Sequence, residues 1–301
     1  MSLTSAIVIT TRNRLRNLQE TLQVIGRLNP QPDEILICAD GCTDGTVEFV
    51  SALPNVRLTI NKEGRGSIAS RDSMIRQTSC DIILSFDDDS HPIETHFVQT
   101  VRDLFEKNPR LGIAAFPQFS DEFPDSLTKE NFGPSYFMGS YTSSSAALRR
   151  SAYMEVGGYD ALFYHVYEEP DLALRLTAAG WQVKFETCLH VRHYYSGLQR
   201  NEMRVHFFQA RNEIWSVIIR CPAPWFIGVG LFRALRQLNY ARIRGFSWLV
   251  HEPAWWMSCL AGLPACFARR KPLLWKKYRG WMELLRNPIT SEQEWKERFG
   301  V

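Results

Sequence analysis

An α/β fold with a mostly parallel sheet is what this sequence predicts, and two observations carry it. Short apolar runs rich in β-branched residues recur between positions 6 and 115, and segments with helical spacing fill the gaps between them. Strands separated by helices of about 10–15 residues make right-handed βαβ units, and hence a parallel sheet.

The run Ala6-Ile7-Val8-Ile9-Thr10 is the first buried strand. Leu15, Leu18, Leu22, Ile25 and Leu28 follow at helical spacing, and Pro30 and Pro32 stop that helix. Ile35–Ala39 is the second strand, after which Thr43-Asp44 offers an N-cap for a helix through Val47 and Val50. Val56–Ile60 is the third strand. Asn61–Gly66 is a glycine-containing loop, and the segment to about Thr78 reads as helix. Ile82–Phe86 is the fourth strand and runs straight into Asp87; a helix over 93–107 and a strand over 111–115 complete this half. The stretch 116–199 is more mixed. Tyr141–Leu148 is strand-like but polar, Gly157-Gly158 is a turn, and Val183–Phe185 is a further strand. Pro170 sits in the first turn of a helix carrying Leu172, Leu174 and Leu176, where its missing N–H costs little.

From Arg200 the character changes. An amphipathic helix over 201–220 is followed by apolar segments at Pro222–Phe226 and Pro253–Ala268, the second with Trp255 and Trp256. Neither reaches the ~18–20 uninterrupted apolar residues that span a bilayer. Interfacial helices, with Lys/Arg toward headgroups and Trp at the boundary, fit this pattern. A helical cap packed on the preceding domain is the alternative.

Of the 301 residues 45% are hydrophobic and 22% charged, which is globular composition and excludes a disordered chain. The net charge of +3 hides an asymmetry: 17 Lys/Arg against 7 Asp/Glu from Arg200 onward, but 18 against 25 before it. A basic, aromatic-rich end points to an anionic partner, a membrane surface or a nucleic acid. Nucleic acid fits less well, because Trp and Phe stand in compact apolar runs rather than interleaved with Arg as stacking platforms. Seven scattered cysteines, an odd number, make no disulfide framework. Cys38 and Cys42 have no matching second pair, so structural or free thiols in the reducing cytosol are expected. Met1–Ala6 enters a strand pattern at once and does not read as a signal peptide.

Candidate chemistry sits at the C-terminal ends of the parallel strands, where α/β enzymes place their sites. Thr10-Thr11-Arg12-Asn13 follows strand one, Asp40-Gly41-Cys42-Thr43-Asp44 strand two, and Asp87-Asp88-Asp89 strand four. Three adjacent carboxylates repel one another and call for a cation. A hard ion such as Mg²⁺ or Mn²⁺ prefers oxygen ligands, with substrate phosphates completing its shell. Alternate residues of an extended loop point the same way, so Asp87 and Asp89 can share a task. A solvated acidic turn is the plainer explanation, and the position after a buried strand weighs against it. Glu168-Glu169-Pro170-Asp171-Leu172 opens a helix, whose dipole stabilises carboxylates there. The same cluster can supply a general base. His190 and His193 follow a strand; each is a structural histidine or a metal or phosphate contact.

Taken in order, these pieces resemble glycosyltransferase family 2, inverting enzymes of the GT-A fold, over residues 5–215. The motifs are AIVITTRNR, ILICADGCTDGTVEFV, GRGSIASRD, IILSFDDDSHP, SSSAALRRSAYMEVGGYDALF with YEEPDLALRLTAAGW, and finally HVRHYYSG and QARNEIW. The resemblance implies a catalytic domain over 1–199, with a nucleotide-binding half (1–115) and an acceptor-side half (116–199), and a basic helical extension over 200–301. It implies that Thr10, Arg12 and Asp40 hold the nucleoside and that Arg71 lies near the diphosphate. Asp87 then contacts the ribose or metal, and Asp88 falls on the donor side without a specific role. Asp89 ligates Mg²⁺ or Mn²⁺, and His193, or His190, completes the metal or diphosphate contacts. Glu169 is the base, with Glu168 and Asp171 on the acceptor side. Two positions depart from the family pattern: Ala39 precedes a single Asp40 where two acids are common, and Glu169 stands where Asp is common. The implied donor is a UDP-, dTDP- or GDP-sugar, with a rhamnosyl-type sugar in bacterial surface polysaccharide assembly. The implied acceptor is a saccharide or lipid-linked hydroxyl, reached from the cytoplasmic face of the membrane. A nucleotidyltransferase would share the sheet and the metal carboxylates, but Glu169 and the basic extension speak against it. A non-catalytic membrane-binding scaffold would need neither the Asp triplet nor Glu169.

Overall fold

A computed structural model describes residues 2–195 and 201–300. The first half alternates β1 (Ser5–Thr11), α1 (Leu15–Ile25), β2 (Glu34–Asp40), α2 (Thr46–Ser51), β3 (Arg57–Asn61), α3 (Ser67–Gln77) and β4 (Ile82–Asp87). Next come β5 (Ser90–Pro92), α4 (Phe97–Lys107), β6 (Leu111–Ala115), β7 (Gln118–Ser120), β8 (Tyr136–Phe137), β9 (Ser145–Arg149) and α5 (Arg150–Glu155). The part of the chain before the C-terminal helices closes with α6 (Glu168–Ala178), β10 (Gln182–Phe185) and β11 (Val191–His193).

The main sheet has the strand order β3-β2-β1-β4-β9-β6-β10-β8. β1 pairs in parallel with β2 on one side and β4 on the other, so the strand order reverses there. Thr10 is level with both Cys38 and Asp87. The loops after β1, β2 and β4 therefore leave the sheet together at a topological switch point, the usual crevice for a ligand in such sheets.

The strands read as unbroken apolar runs because both faces are covered. Ala6 and Val8 point to one side, into a core with Leu36, Ile68, Met74 and Leu172. Ile7 and Ile9 point to the other, with Leu18, Ile37, Leu84 and Phe97. Each large aliphatic or aromatic side chain so buried contributes about 1.5–3 kcal/mol.

Three expectations are corrected. The polar strand expected over 141–148 is Ser145–Arg149, it runs antiparallel between β4 and β6, and Ser143-Ser144 form a turn before it. The helix expected from position 93 starts at Phe97, because residues 90–92 pair instead with β11 in a second sheet, β5-β11-β7. The N-cap of α2 is Gly45 rather than Thr43 or Asp44; Asp44 instead accepts from the N–H of Leu15 at 3.0 Å, at the start of α1, and from the hydroxyl of Thr46 at 2.5 Å.

The C-terminal region holds α7 (Glu202–Arg220), α8 (Trp225–Arg244), α9 (Phe246–Leu249), α10 (Glu252–Ala261), α11 (Leu263–Ala268), α12 (Trp275–Leu284) and α13 (Glu292–Phe299). Trp215, Ile218 and Ile219 of α7 share one core with Leu172 and Leu176 of α6. Trp295 of α13 stacks on Phe137 of β8. The boundary expected after residue 199, and the last two residues of HVRHYYSG, lie outside the described residues. All seven cysteines are free thiols. No helix among the described residues is long and apolar enough to cross a membrane.

Candidate active site

The acidic triplet divides by direction. Asp87 ends β4 with its side chain one-third exposed, and its Oδ1 accepts from Arg71 Nη2 at 2.6 Å. Asp88 turns inward: Thr11 Oγ1 donates to it at 2.8 Å and Arg14 Nη1 lies 2.9 Å from its other oxygen. Burial pushes the Asp88 carboxyl up to about 7 against the pull of Arg14. Asp88 braces β4 against the loop after β1 and does not open to the donor side.

Asp89 is only 1% exposed. Arg14 Nη2 donates to its Oδ2 at 2.5 Å, and His193 Nε2 lies 3.4 Å from its Oδ1. Burial would raise this carboxyl, but His193 and Arg14 hold it below the ordinary carboxylate range. The second sheet brings His193 here: β11 lies antiparallel to β5 with His193 opposite Ser90, and the N–H of Tyr194 donates to the carbonyl of Asp89 at 2.8 Å.

One oxygen of Asp89 and both ring nitrogens of His193 are buried without a hydrogen-bond partner among the described residues. Leaving such atoms unpaired costs about 1–3 kcal/mol each. A carboxylate oxygen from Asp87, one from Asp89 and a nitrogen from His193 lie within 4.8 Å of one another. Two hard oxygens and an imidazole converging this way fit a divalent cation and leave positions for phosphate oxygens. His190 is elsewhere. Its Nδ1 is 2.7 Å from Glu94 Oε1, and its ring packs against both Phe119 and Phe132, which also touch each other.

Arg71 is buried beneath the crevice rather than presented to a ligand. Its Nη1 donates to Ser143 Oγ at 3.3 Å, and Ser143 Oγ donates to Glu169 Oε1 at 2.9 Å. One polar chain thus runs Asp87–Arg71–Ser143–Glu169. Glu168 lies deeper, with Oε2 unpartnered among the described residues. Burial, with Glu169 beside it, pushes Glu168 well above the carboxylate range, and burial raises Glu169 too. Of these two adjoining buried carboxyls Glu168 is raised further, while the hydroxyl and N–H of Ser143 favour the charged form of Glu169. Asp171 does not reach an acceptor side. It is fully buried, with Arg175 Nε at 2.8 Å, Arg220 Nε at 3.0 Å and Ser216 Oγ at 3.1 Å, and ties α6 to α7.

The nucleoside candidates gather at the other end of the crevice. Asp40 accepts from the N–H groups of Arg65 and Gly66, both at 2.9 Å, and from Asn61 Nδ2 at 2.7 Å. Burial would raise Asp40, but these donors hold it low. Its carboxylate is therefore occupied with shaping the 61–66 loop. Gly41 has φ +74°, and a Cβ there would sit 2.9 Å from the nitrogen of Gly64, so the two loops meet backbone to backbone. Arg12 is exposed and crosses Gly64, while Thr10 is the penultimate residue of β1.

Several contributors were not singled out from sequence: Arg14, Ser143 and Asn212. Tyr164, Val166 and Tyr167 have φ of 64°, 53° and 77° just before α6, a conformation that costs about 1–3 kcal/mol per non-glycine residue. Asn212 Nδ2 donates to the carbonyls of Phe163, His165 and Val166 at 3.0, 2.8 and 2.9 Å, holding that segment in place. The QARNEIW motif contains both Asn212 and Arg211, whose Nη2 also donates to Phe163. Asn212→Ala is expected to lower turnover by up to about a hundredfold through a displaced Glu169, with donor affinity unchanged; a mutant with normal turnover would free Asn212 of a positioning role.

Residues 6–169 match the model of Glycosyl transferase family 2. Over 207 residues the chain is 27% identical to an uncharacterized glycosyltransferase, YwdF, of Bacillus subtilis (strain 168), covering 65% of this chain and 76% of that protein. It is 26% identical over 174 residues to the glucosyl-dolichyl phosphate glucuronosyltransferase of Haloferax volcanii, covering 52% of this chain and 55% of that one. Among solved structures it is similar to the mannosyltransferase PcManGT from Pyrobaculum calidifontis in complex with GDP-Man and Mn²⁺. That similarity has a TM-score of 0.55 and 16% identity, covering 95% of this chain and 85% of that one. A core of this sheet order, with an Asp-x-Asp cluster at its switch point, is the GT-A fold, and the chain belongs to glycosyltransferase family 2 and is a glycosyltransferase.

Proposed function

We propose that this enzyme moves a hexosyl or deoxyhexosyl group from a nucleoside-diphosphate donor to a hydroxyl of a saccharide or lipid-linked acceptor, inverting the anomeric centre in one displacement. The observation that carries this is the polar chain from Asp87 to Glu169, which links a cation-type cluster to a basic carboxylate on one rigid support. Glu169, ionised and held by Ser143, takes the proton of the attacking hydroxyl. The hydroxyl oxygen bonds to the anomeric carbon as the bond to the diphosphate oxygen breaks, and the electron pair leaves with the nucleoside diphosphate. Arg71 fixes Asp87 and Ser143 relative to each other, so acceptor and donor meet in register. Asp87, Asp89 and His193 would hold Mg²⁺ or Mn²⁺, which would supply neutralisation of the charge on the departing diphosphate. No carboxylate nucleophile is needed, unlike retaining chemistry.

Thr10, Arg12 and the loop shaped by Asp40 are proposed to receive the nucleoside. The donor complex of PcManGT contains GDP-Man and Mn²⁺, and the Haloferax relative is named for a dolichyl-phosphate-linked substrate. The first supports a nucleotide-sugar donor here and the second a lipid-linked acceptor, and the proposal includes a rhamnosyl-type donor in surface polysaccharide assembly. The expected work place is the cytoplasmic face of a membrane.

A thermal-shift panel of UDP-, GDP- and dTDP-sugars with Mn²⁺ or Mg²⁺ tests the donor reading. One nucleotide series is expected to stabilise the fold by about 2.7 kcal/mol at a hundredfold excess over its Kd, and only with metal present. No shift with any nucleotide would overturn the reading. Retention at the anomeric carbon of the product, read by NMR, would overturn the single displacement.

A further inference from the structure

Helix α8 is built inside out. Its buried side carries Arg233 and Gln237, which donate to Glu213 of α7 at 2.7 and 2.6 Å; Arg233 also donates to the hydroxyl of Tyr167 at 2.8 Å. Its outward side carries Ile227, Leu231 and Leu235, which are 64%, 60% and 54% exposed. Spacings of four residues place these three on one stripe, and Phe232 flanks it. An ordinary surface helix turns its apolar stripe to the core and its charges to water. Further exposed apolar side chains follow α8 in the chain: Phe246, which is 80% exposed, then Met257, Leu260 and Leu274. Exposed apolar surface this extensive marks an interaction face.

Charge identifies the occupant. Between residues 221 and 282 there are ten Lys/Arg and a single carboxylate, Glu252. Glu252 is buried and taken by His206 Nε2 at 2.7 Å and by Trp255 Nε1 at 2.9 Å. No carboxylate of this stretch therefore faces solvent, whereas Arg242, Lys271 and Lys276 are exposed; Arg236, Arg244 and Arg269, about half exposed, each also pair with a carboxylate outside the stretch, Glu213, Glu202 and Asp160. A second copy of the chain would set one cationic face against an identical one, which the symmetry of a dimer makes repulsive. Exposed Trp225 and Trp256 suit the boundary between headgroups and acyl chains.

We infer that the outer face of α8–α11 docks on an anionic lipid bilayer, lying in the interface without spanning it. Apolar side chains enter the acyl boundary while the arginines and lysines meet anionic headgroups. The proposed lipid-linked acceptor gives this docking its use, and the docking is read without any sugar transfer, so its failure and a failure of the transferase reading are separate results.

The test is co-sedimentation of the full chain with vesicles of phosphatidylcholine plus phosphatidylglycerol, against phosphatidylcholine alone. Binding is expected to the anionic vesicles, to weaken as salt rises, and to fall about tenfold or more in Leu231→Glu/Leu235→Glu. Should that double variant melt early by circular dichroism, Phe246→Ser, at the most exposed position, replaces it with the same expected direction. Vesicle binding that ignores lipid charge, no binding at all, or a concentration-dependent dimer in sedimentation velocity lost in the same variants would each overturn the inference.

Discussion

Asp89→Ala is expected to cost about a thousandfold in metal-stimulated sugar transfer, the equivalent of ~4 kcal/mol of transition-state stabilisation, while the fold survives. The argument starts from what Asp89 touches. One oxygen is fixed by Arg14, and the other faces His193 with no hydrogen bond among the described residues. Alanine removes the oxygen that Asp87 and His193 cannot replace, because Asp87 is held by Arg71. It also leaves Arg14 with Asp88 alone, so folding stability should drop less than the loss of an isolated buried partner would imply. The measurement is initial transfer rate against Mn²⁺ or Mg²⁺ concentration, with circular dichroism as the fold control. Full activity in the mutant would remove Asp89 from the metal assignment.

Glu169→Gln is expected to lower turnover by about 10²–10⁴-fold, the usual range for a positioned general base. Glutamine keeps the length and still accepts from Ser143, so the loop and the donor side stay intact. Donor affinity, read by titration of the nucleotide sugar with metal, should stay near that of the parent. Glu168→Gln is the companion measurement. If Glu168 already carries the proton, its amide isostere changes little, whereas a collapse of activity in Glu168→Gln with normal turnover in Glu169→Gln would exchange the two roles.

Strands β1 to β4 were legible because a strand buried on both faces leaves an unbroken apolar run, and the acidic triplet was legible because it follows one. The second sheet was not. β5, β7 and β11 are three residues each, too short to show a period, yet their pairing carries His193 to Asp89 and separates it from His190. Arg14 was read past because a basic residue in a loop gives no direction in sequence; only the fold shows it forked across Asp88 and Asp89. Asp171 misled for the opposite reason. Its place at a helix start looks like a site, and burial among Arg175, Arg220 and Ser216 makes it a tie between helices. Helix α8 hid its inverted faces, because hydrophobic spacing alone does not say which side meets the core.

The clamp that Asn212 places on Phe163, His165 and Val166 bears on how the enzyme can be trimmed. A fragment ending at residue 199 looks like a complete catalytic unit by its motifs. Such a cut discards Asn212 and Arg211, which hold the segment before Glu168, and Arg220, which pairs with Asp171. It also discards Arg233, the inward hand of α8 on Tyr167. The smallest active piece of this chain is therefore expected to extend through α8, and an effort to improve solubility should repaint the outer face of that helix rather than remove it.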